Sequence, residues 1–468
     1  MEHFDLVVIG SGPAGEKGAA QAAYFGKRVA IIERATHVGG AGINTGTLPS
    51  KTLRETALYF SGLRQRGLYG IDYSLRENLT VADLMHRKEI VIQNEWRIIS
   101  ANLAWHNIQL INGEASLRDA HTVVVKSAEG ERELSADVIL IATGSSPLHP
   151  GGILFDHEYI YDSDDILHMD RIPKSMVVIG GGVIGTEYAS VFTALGVEVT
   201  LVEPRGRILA FVDSEIVTSL TEHLEMIGLK FLYNDKMTRI EAHNGRVCME
   251  LQSGSTHEFD IALIASGRHS NVQGLGLEEA GVKLGDRGLV IVNEKYQTSV
   301  PNIYAAGDVI GFPALASTSM EQARVAMVHA FDLHYKEKVS SVLPLAVYSI
   351  PEISAVGLTE DECEERNIAY LVGRASFENS ARGQITGATN GMIKLIFAPE
   401  DKRLLGAHII GEQASELIHI AMHAITRKET IDVFIEAVYN YPTLSDSYKY
   451  AAYDGLGRLR EWLQNRKQ

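Results

Sequence analysis

Two glycine-rich runs, each followed at a distance by an acid, hold the chemistry written most plainly in this chain. Gly10-Ser11-Gly12-Pro13-Ala14-Gly15 follows the apolar run Leu6 to Ile9; Gly26, a second run from Val29 to Ile32, and Glu33 come after it. Gly180-Gly181-Gly182-Val183-Ile184-Gly185 follows Met176 to Ile179 and leads in the same way to Gly196, Val199 to Val202 and Glu203. In both copies the acid stands twenty-three residues after the first glycine. The first glycine of such a turn takes the tight bend, the second lets backbone approach a pyrophosphate, and the third lets helix pack on strand. The unpaired N–H groups of the helix N-terminus then face the phosphates, and the acid accepts hydrogen bonds from a ribose diol. One run of this kind is a weak signal. Two in matching register predict two bound dinucleotides.

The elements around these runs are short apolar strands alternating with helix-period stretches, the pattern of buried parallel βαβ units. The copies also close alike, Asp137 to Gly144 mirroring Asp260 to Gly267, which adds Thr143, Gly144 and Gly267 to the candidate residues. The first copy is longer by about 47 residues, assigned to the loop after Glu33 and the helical stretch behind it. With 468 residues, the prior of roughly 150 per domain gives about three domains. A net charge of −16 argues against nucleic acid and acidic membrane surfaces as partners. No apolar run approaches the ~18 residues of a membrane span, and the N-terminus lacks the basic start of a signal peptide, so the expected setting is the cytoplasm. Cys248 and Cys363, far apart, make neither a disulfide framework nor a zinc cluster.

Two further stretches differ between the copies. Val38-Gly39-Gly40-Ala41-Gly42-Ile43-Asn44-Thr45-Gly46-Thr47-Leu48-Pro49-Ser50-Lys51 follows Glu33 and Arg34, and Tyr304-Ala305-Ala306-Gly307-Asp308-Val309 lies much later. With the fingerprints, they resemble the flavoprotein disulfide reductase superfamily over essentially the whole chain. The resemblance assigns FAD to the first fingerprint and a nicotinamide dinucleotide, NAD or NADP, to the second. It implies an α/β fold of two Rossmann-like domains and an α+β dimerisation domain. An FAD domain would be built from 1–147 and 273–344, with a nicotinamide domain, 148–272, inserted between them. Residues 345–468 would form the dimerisation domain, making a homodimer or larger. By the same analogy Gly113 and Ala115 lie against the adenine and Asp308 holds the ribitol, while the helix starting near Leu315-Ala316 points its positive end at the flavin.

The resemblance also shows what is missing. Disulfide reductases carry cysteines at the positions of Gly42 and Thr47, and a His-Pro-Thr with a following Glu where this chain has Tyr441-Pro442-Thr443 and Asp446. Thiol nucleophile and thiol base are absent together. Electrons brought by a reduced nicotinamide must return to a second nicotinamide or pass to a diffusible acceptor such as a quinone. The first route is that of the soluble (Si-specific) pyridine nucleotide transhydrogenases, which the chain resembles in Asn440-Tyr441-Pro442-Thr443 and in Thr47. It departs from them at Gly42, where that family usually keeps one cysteine. An NADH-dependent diaphorase or quinone reductase of the same fold is the alternative; a catalytically silent binding subunit is a third.

Lys51 falls where the superfamily's lysine sits beside the flavin, and Glu187 is its expected carboxylate partner. Glu203 predicts a preference for NAD(H), since at contact distance it would repel a 2′-phosphate by on the order of 4 kcal/mol before screening. Arg205 and Arg207 could offset this by pairing with the phosphate, or be solvated loop charges. Arg268, after Gly267, completes the nicotinamide set. Tyr441 and Asp446 are read either as active-site groups reached from a partner subunit or as packing at a dimer seam. His419 and His423 have a spacing that can hold a metal, but no third ligand stands out, so no metal is expected. In the last part, strand-like runs are expected at Val347 to Ile350, Met392 to Phe397 and Leu404 to Ile410, with a final helix from near Thr443.

Overall fold

A computed structural model of the chain describes residues 1–62 and 79–466. Part of the helical stretch expected after Lys51 therefore lies outside the described residues. The first unit runs β1 (Glu2–Ile9), α1 (Pro13–Tyr24), β2 (Val29–Glu33), α2 (Gly40–Asn44), α3 (Thr47–Ser61), α4 (Val81–Trp105) and β3 (Gln109–Asn112). It continues with β4 (Glu114–Asp119), β5 (Thr122–Ser127) and β6 (Gly130–Ile141). Strands β3-β2-β1-β6 are parallel, while β5 and β4 extend the sheet antiparallel beyond β6. Val7, Val8, Ile31, Ile139 and Leu140 are fully buried, which is why these strands read as unbroken apolar runs and not as an alternation.

After β7 (Ser145–Pro147) and β8 (Ile160–Tyr161) the same architecture returns. It comprises β9 (Ser175–Ile179), α5 (Val183–Ala194), β10 (Glu198–Glu203), α6 (Ser214–Met226) and β11 (Lys230–Tyr233). An antiparallel meander follows, β12 (Met237–His243), β13 (Arg246–Leu251) and β14 (Thr256–Phe259), before β15 (Ile261–Ile264). The sheet order is β11-β10-β9-β15-β8, with every pairing parallel. The chain then crosses back. β16 (Arg268–Ser270) pairs antiparallel with β7, and β17 (Ile303–Ala305) adds beside β6 of the first sheet before α7 (Ala316–Ala330) packs on α1.

The last unit is a five-stranded antiparallel sheet in the order β18-β19-β22-β21-β20. Its elements are β18 (Leu345–Val347), β19 (Ile353–Gly357), α8 (Glu360–Glu365), β20 (Leu371–Ser376), α9 (Ala381–Thr386), β21 (Met392–Phe397) and β22 (Leu404–Ile410), followed by α10 (Ala414–Thr426), α11 (Asp432–Glu436) and α12 (Ser447–Asn465). Two expectations need correction. The strand expected through Ile350 stops at Val347, because the next backbone groups bond elsewhere: the Tyr348 N–H donates to Glu187, the Ser349 carbonyl accepts from Arg54, and the Ile350 N–H donates to the Ser190 hydroxyl. The final helix starts at Ser447, after a tight turn over Leu444–Asp446.

Charge joins this unit to the second sheet. Lys394 on β21 is fully buried, its ammonium 2.7 Å from Asp213 and 2.9 Å from Glu215, with Glu360 also in contact. Arg374 on β20 makes a two-pronged bond to Glu215, at 2.7 and 2.8 Å. Among the described residues no helix is long and apolar enough to cross a membrane.

Candidate functional site

The two fingerprints are superimposable in their steric logic. Gly10 and Gly180 have φ of +101° and +109°, and a Cβ there would stand 2.5 and 2.6 Å from the carbonyl oxygens of Ala142 and Ala265. Gly15 and Gly185 are more crowded, since a Cβ would lie 1.9 Å from the carbonyl oxygen of the first glycine in each copy. The middle glycines differ in kind. A Cβ on Gly182 would meet nothing within 4 Å, and one on Gly12 only the Cα of Gly40 at 3.8 Å. Helices α1 and α5 begin directly behind them, with no side chain capping either N-terminus. The open space over each middle glycine is a cradle that a phosphate would fill and a side chain would block. Pro13 and Ala14, and Val183 and Ile184, form the first turns of these helices.

The acids are buried where the second strands end. Glu33 accepts from the Ser11 N–H (2.9 Å), the Ser11 hydroxyl (2.6 Å) and the Ala35 N–H (2.8 Å). Glu203 accepts from the Gly181 N–H (2.8 Å) and the Arg205 N–H (3.0 Å), and from the Arg205 guanidinium at 2.8 and 3.1 Å. Burial would raise the Glu203 carboxyl, but these bonds outweigh it and hold the group below its ordinary range. Neither arginine is therefore a free loop charge. Arg205 grips the acid itself, and Arg207 is tied to Asp361 of the last unit at 3.0 Å.

Around the first fingerprint the remaining candidates converge. Gly113 donates its N–H to the Glu33 carbonyl, at the turn between β3 and the strand that carries Ala115. Gly40 comes so close to Gly12 that a Cβ would sit 2.8 Å from its Cα, seating Gly39 and Gly40 against the turn, while Arg34 is exposed. Gly307 lies against Ala14 and Ser319, bringing Asp308 and the start of α7 at Leu315-Ala316 to the head of α1. One Asp308 oxygen accepts from the Ser145 hydroxyl at 2.7 Å. The Thr143 hydroxyl, next to Gly144 at the end of β6, is buried with no hydrogen-bond partner, so the first site holds a polar atom the protein leaves unserved. Open cradle, helix N-terminus, buried acid and orphaned hydroxyl suit a dinucleotide such as FAD.

Lys51 and Glu187 meet between the first and second units. The ammonium of Lys51, in the first turns of α3, is 2.7 Å from Glu187 on α5, and lies over the Tyr348 ring at 5.1 Å. The other Glu187 oxygen accepts from the Tyr348 N–H at 2.8 Å, so all three units share one ion pair. Gly267 and Arg268 stand where the chain returns to the first unit. Arg268 donates to the Ser145 hydroxyl at 2.8 Å and the Ser145 carbonyl at 2.7 Å, and lies 3.6 Å from Asp164. Tyr348 and Ser145 were missed in the sequence, and nothing local marks them. Ser11 had a signal: it fills the gap between the first two glycines, facing the acid.

Gly42 lies in α2, where a Cβ would be 2.9 Å from Pro13 of the first cradle, and Thr47 opens α3, the helix that carries Lys51. Cys248 on β13 and Cys363 in α8 form no disulfide and lie in the second and last units, outside α2 and α3. Among the described residues no hydrogen bond or ring contact links Tyr441 or Asp446 to Lys51 or Glu187. Tyr441 is 76% exposed, beside Val438 at 94%. His419 and His423 are exposed on α10.

Comparison with known proteins fits this arrangement. The family described as pyridine nucleotide-disulphide oxidoreductase matches residues 4–330, and the corresponding dimerisation domain matches 343–452. A soluble pyridine nucleotide transhydrogenase of Mycobacterium bovis is 43% identical, covering 100% of both chains. One from Colwellia psychrerythraea is 41% identical over 97% of this chain and 98% of its own. Among solved structures, LpdA of Mycobacterium tuberculosis has a TM-score of 0.89 at 28% identity, over 97% of this chain and 99% of that one. RclA of Escherichia coli, an HOCl-induced flavoprotein disulfide reductase, has a TM-score of 0.86 at 27% identity, over 95% and 98%. The chain is thus an oxidoreductase that belongs to the pyridine nucleotide-disulphide oxidoreductase family, in its soluble pyridine nucleotide transhydrogenase group.

Proposed function

We propose that the protein moves hydride between NADPH and NAD through FAD held at the first fingerprint, with no redox disulfide. One observation carries the reading. The centre keeps a lysine–carboxylate pair between two dinucleotide cradles, while Gly42 and Thr47 occupy the positions of the thiols and the two cysteines lie on β13 and in α8, outside the elements that carry Gly42, Thr47 and Lys51. FAD, when bound, supplies an acceptor and donor of hydride. Gly12, Pro13, Ala14 and the α1 N-terminus would hold its pyrophosphate, Glu33 a ribose, and Asp308 the ribitol, with Thr143 offering its unserved hydroxyl. Lys51, held in place by Glu187, favours electron density at the ring beside it and helps fix the stacking distance for transfer. Gly182 and the α5 N-terminus would take the pyrophosphate of the nicotinamide nucleotide, and Glu203 with Arg205 its adenosine ribose.

In this reading 1–147 and 273–344 form the FAD domain, 148–272 the nicotinamide domain and 345–468 the interface of a cytoplasmic homodimer. Tyr441 and Asp446 would complete the site from the partner or pack at the seam. The test is transfer from NADPH to thio-NAD+, followed by the absorbance of the reduced thio-analogue, beside NADH-dependent reduction of a quinone. Fast nucleotide-to-nucleotide transfer is expected. Quinone turnover with negligible transfer would replace the proposal with a diaphorase.

A further inference from the structure

The two acids, equivalent in the repeat, differ in how much accepting capacity they have left. A carboxylate offers about four lone-pair positions. Glu33 receives three hydrogen bonds, which leaves a place for a ribose hydroxyl. Glu203 receives four, two of them from the Arg205 guanidinium. A ribose diol can reach Glu203 only when a donor leaves. The Gly181 and Arg205 N–H groups are backbone at the turn and at the strand end. The guanidinium is on a side chain 61% exposed and can swing into solvent, while the Glu203 carboxylate it leaves is 3% exposed and has to be re-paired by the incoming diol.

Arg207, the other arginine of the loop, is not available in the same way. It donates to the Ala210 carbonyl at 2.9 Å as well as to Asp361, and so pins the loop to the last unit. Among the described residues Arg205 is thus the exposed cation on the acid of the second fingerprint, the place where the two nicotinamide nucleotides differ. We infer that Arg205 sets nucleotide selectivity by exchanging partners: it leaves Glu203 to the 2′,3′-diol of NAD(H), and turns its planar fork onto the 2′-phosphate of NADP(H). With the phosphate bound, the guanidinium lies between two anions that would otherwise repel each other, and its forked donors match phosphate geometry. The inference rests on the reading of the second fingerprint as a nicotinamide nucleotide site. It replaces the simple expectation of NAD(H) preference from Glu203 with acceptance of both nucleotides.

The experiment measures dissociation constants of NADP+ and NAD+ by isothermal titration calorimetry on FAD-loaded wild type, Arg205→Ala and Arg207→Ala. Arg205→Ala is expected to weaken NADP+ on the order of tenfold or more, the loss of one charge-assisted contact, and to leave NAD+ equal or tighter. Arg207→Ala is expected to leave the ratio of the two constants unchanged. Unchanged NADP+ affinity in Arg205→Ala, equal weakening of both nucleotides, or a ratio moved by Arg207→Ala alone would each overturn the inference. Wild-type protein that binds neither nucleotide would instead remove the reading on which it rests.

Discussion

Lys51 and Glu187 form an ion pair whose worth lies in what each prevents. Glu187 is almost fully buried and Lys51 largely so, and the second Glu187 oxygen is already committed to the Tyr348 N–H. Lys51→Met leaves that buried carboxylate without its cation. A fully buried pair would lose about 3–5 kcal/mol; the partial exposure of Lys51 brings the expected loss to roughly 1–3 kcal/mol. Stability is the smaller consequence. Under the proposed function, transfer from NADH, followed by stopped-flow absorbance on protein that still holds FAD, is expected to slow on the order of tenfold or more, because the fixed charge that would stand beside the reacting ring has gone. A rate equal to wild type would show that the lysine only braces the domains. Lys51 could be placed from the loop that carries it. Tyr348 could not, since it comes from the far end of the chain and meets the pair only through tertiary packing.

The two strand–turn–helix units separate folding from binding within a single motif. At Gly15 and Gly185 a methyl would overlap a carbonyl oxygen of the same turn, so Gly15→Ala or Gly185→Ala must push α1 or α5 off its strand. The cost expected from overpacking is about 1–3 kcal/mol or more, read as a lower denaturation midpoint with FAD bound or absent. At Gly182 the same methyl enters open space on ordinary backbone, with φ −77°. Gly182→Ala is therefore expected to leave the midpoint nearly unchanged and to weaken nicotinamide nucleotide binding, measured by calorimetry. The reverse pattern would mean that the cradle is not a phosphate seat. These units were legible in the sequence because glycine at fixed offsets and apolar runs are local signals. The partner of Arg205 was not: its distance to Glu203 in sequence is short, but only the turn at the strand end folds the guanidinium back onto the acid.

The buried charge at Lys394 ties the second unit to the last, and no sequence pattern announces it. Its members lie on α6, α8, β20 and β21, and Asp213 also caps the N-terminus of α6 through the Glu215 and Ile216 N–H groups. Burial would raise Glu215, but bonds from Arg374 and Lys394 outweigh it and bring its carboxyl down to about 2. A group depressed in the folded state adds stability above its unfolded value near 4.5, and that contribution is lost as pH falls toward about 2. His408, buried next to this cluster, is held below its ordinary value of 6.5 chiefly by desolvation. The unfolded chain therefore takes up that proton first, and stability also declines as pH drops below 6.5. Lys394→Met removes the buried ammonium and leaves Asp213 without its cation, with Arg374 alone to serve Glu215 and Glu360, at an expected cost of about 3–5 kcal/mol at pH 7. Protonation then relieves the variant instead of harming it. Denaturant unfolding of both proteins at pH 7 and pH 5 is expected to show the largest deficit at pH 7 and a smaller one at pH 5. A deficit that stays constant or grows on acidification would show that Lys394 stabilises by packing, with its charge contributing nothing.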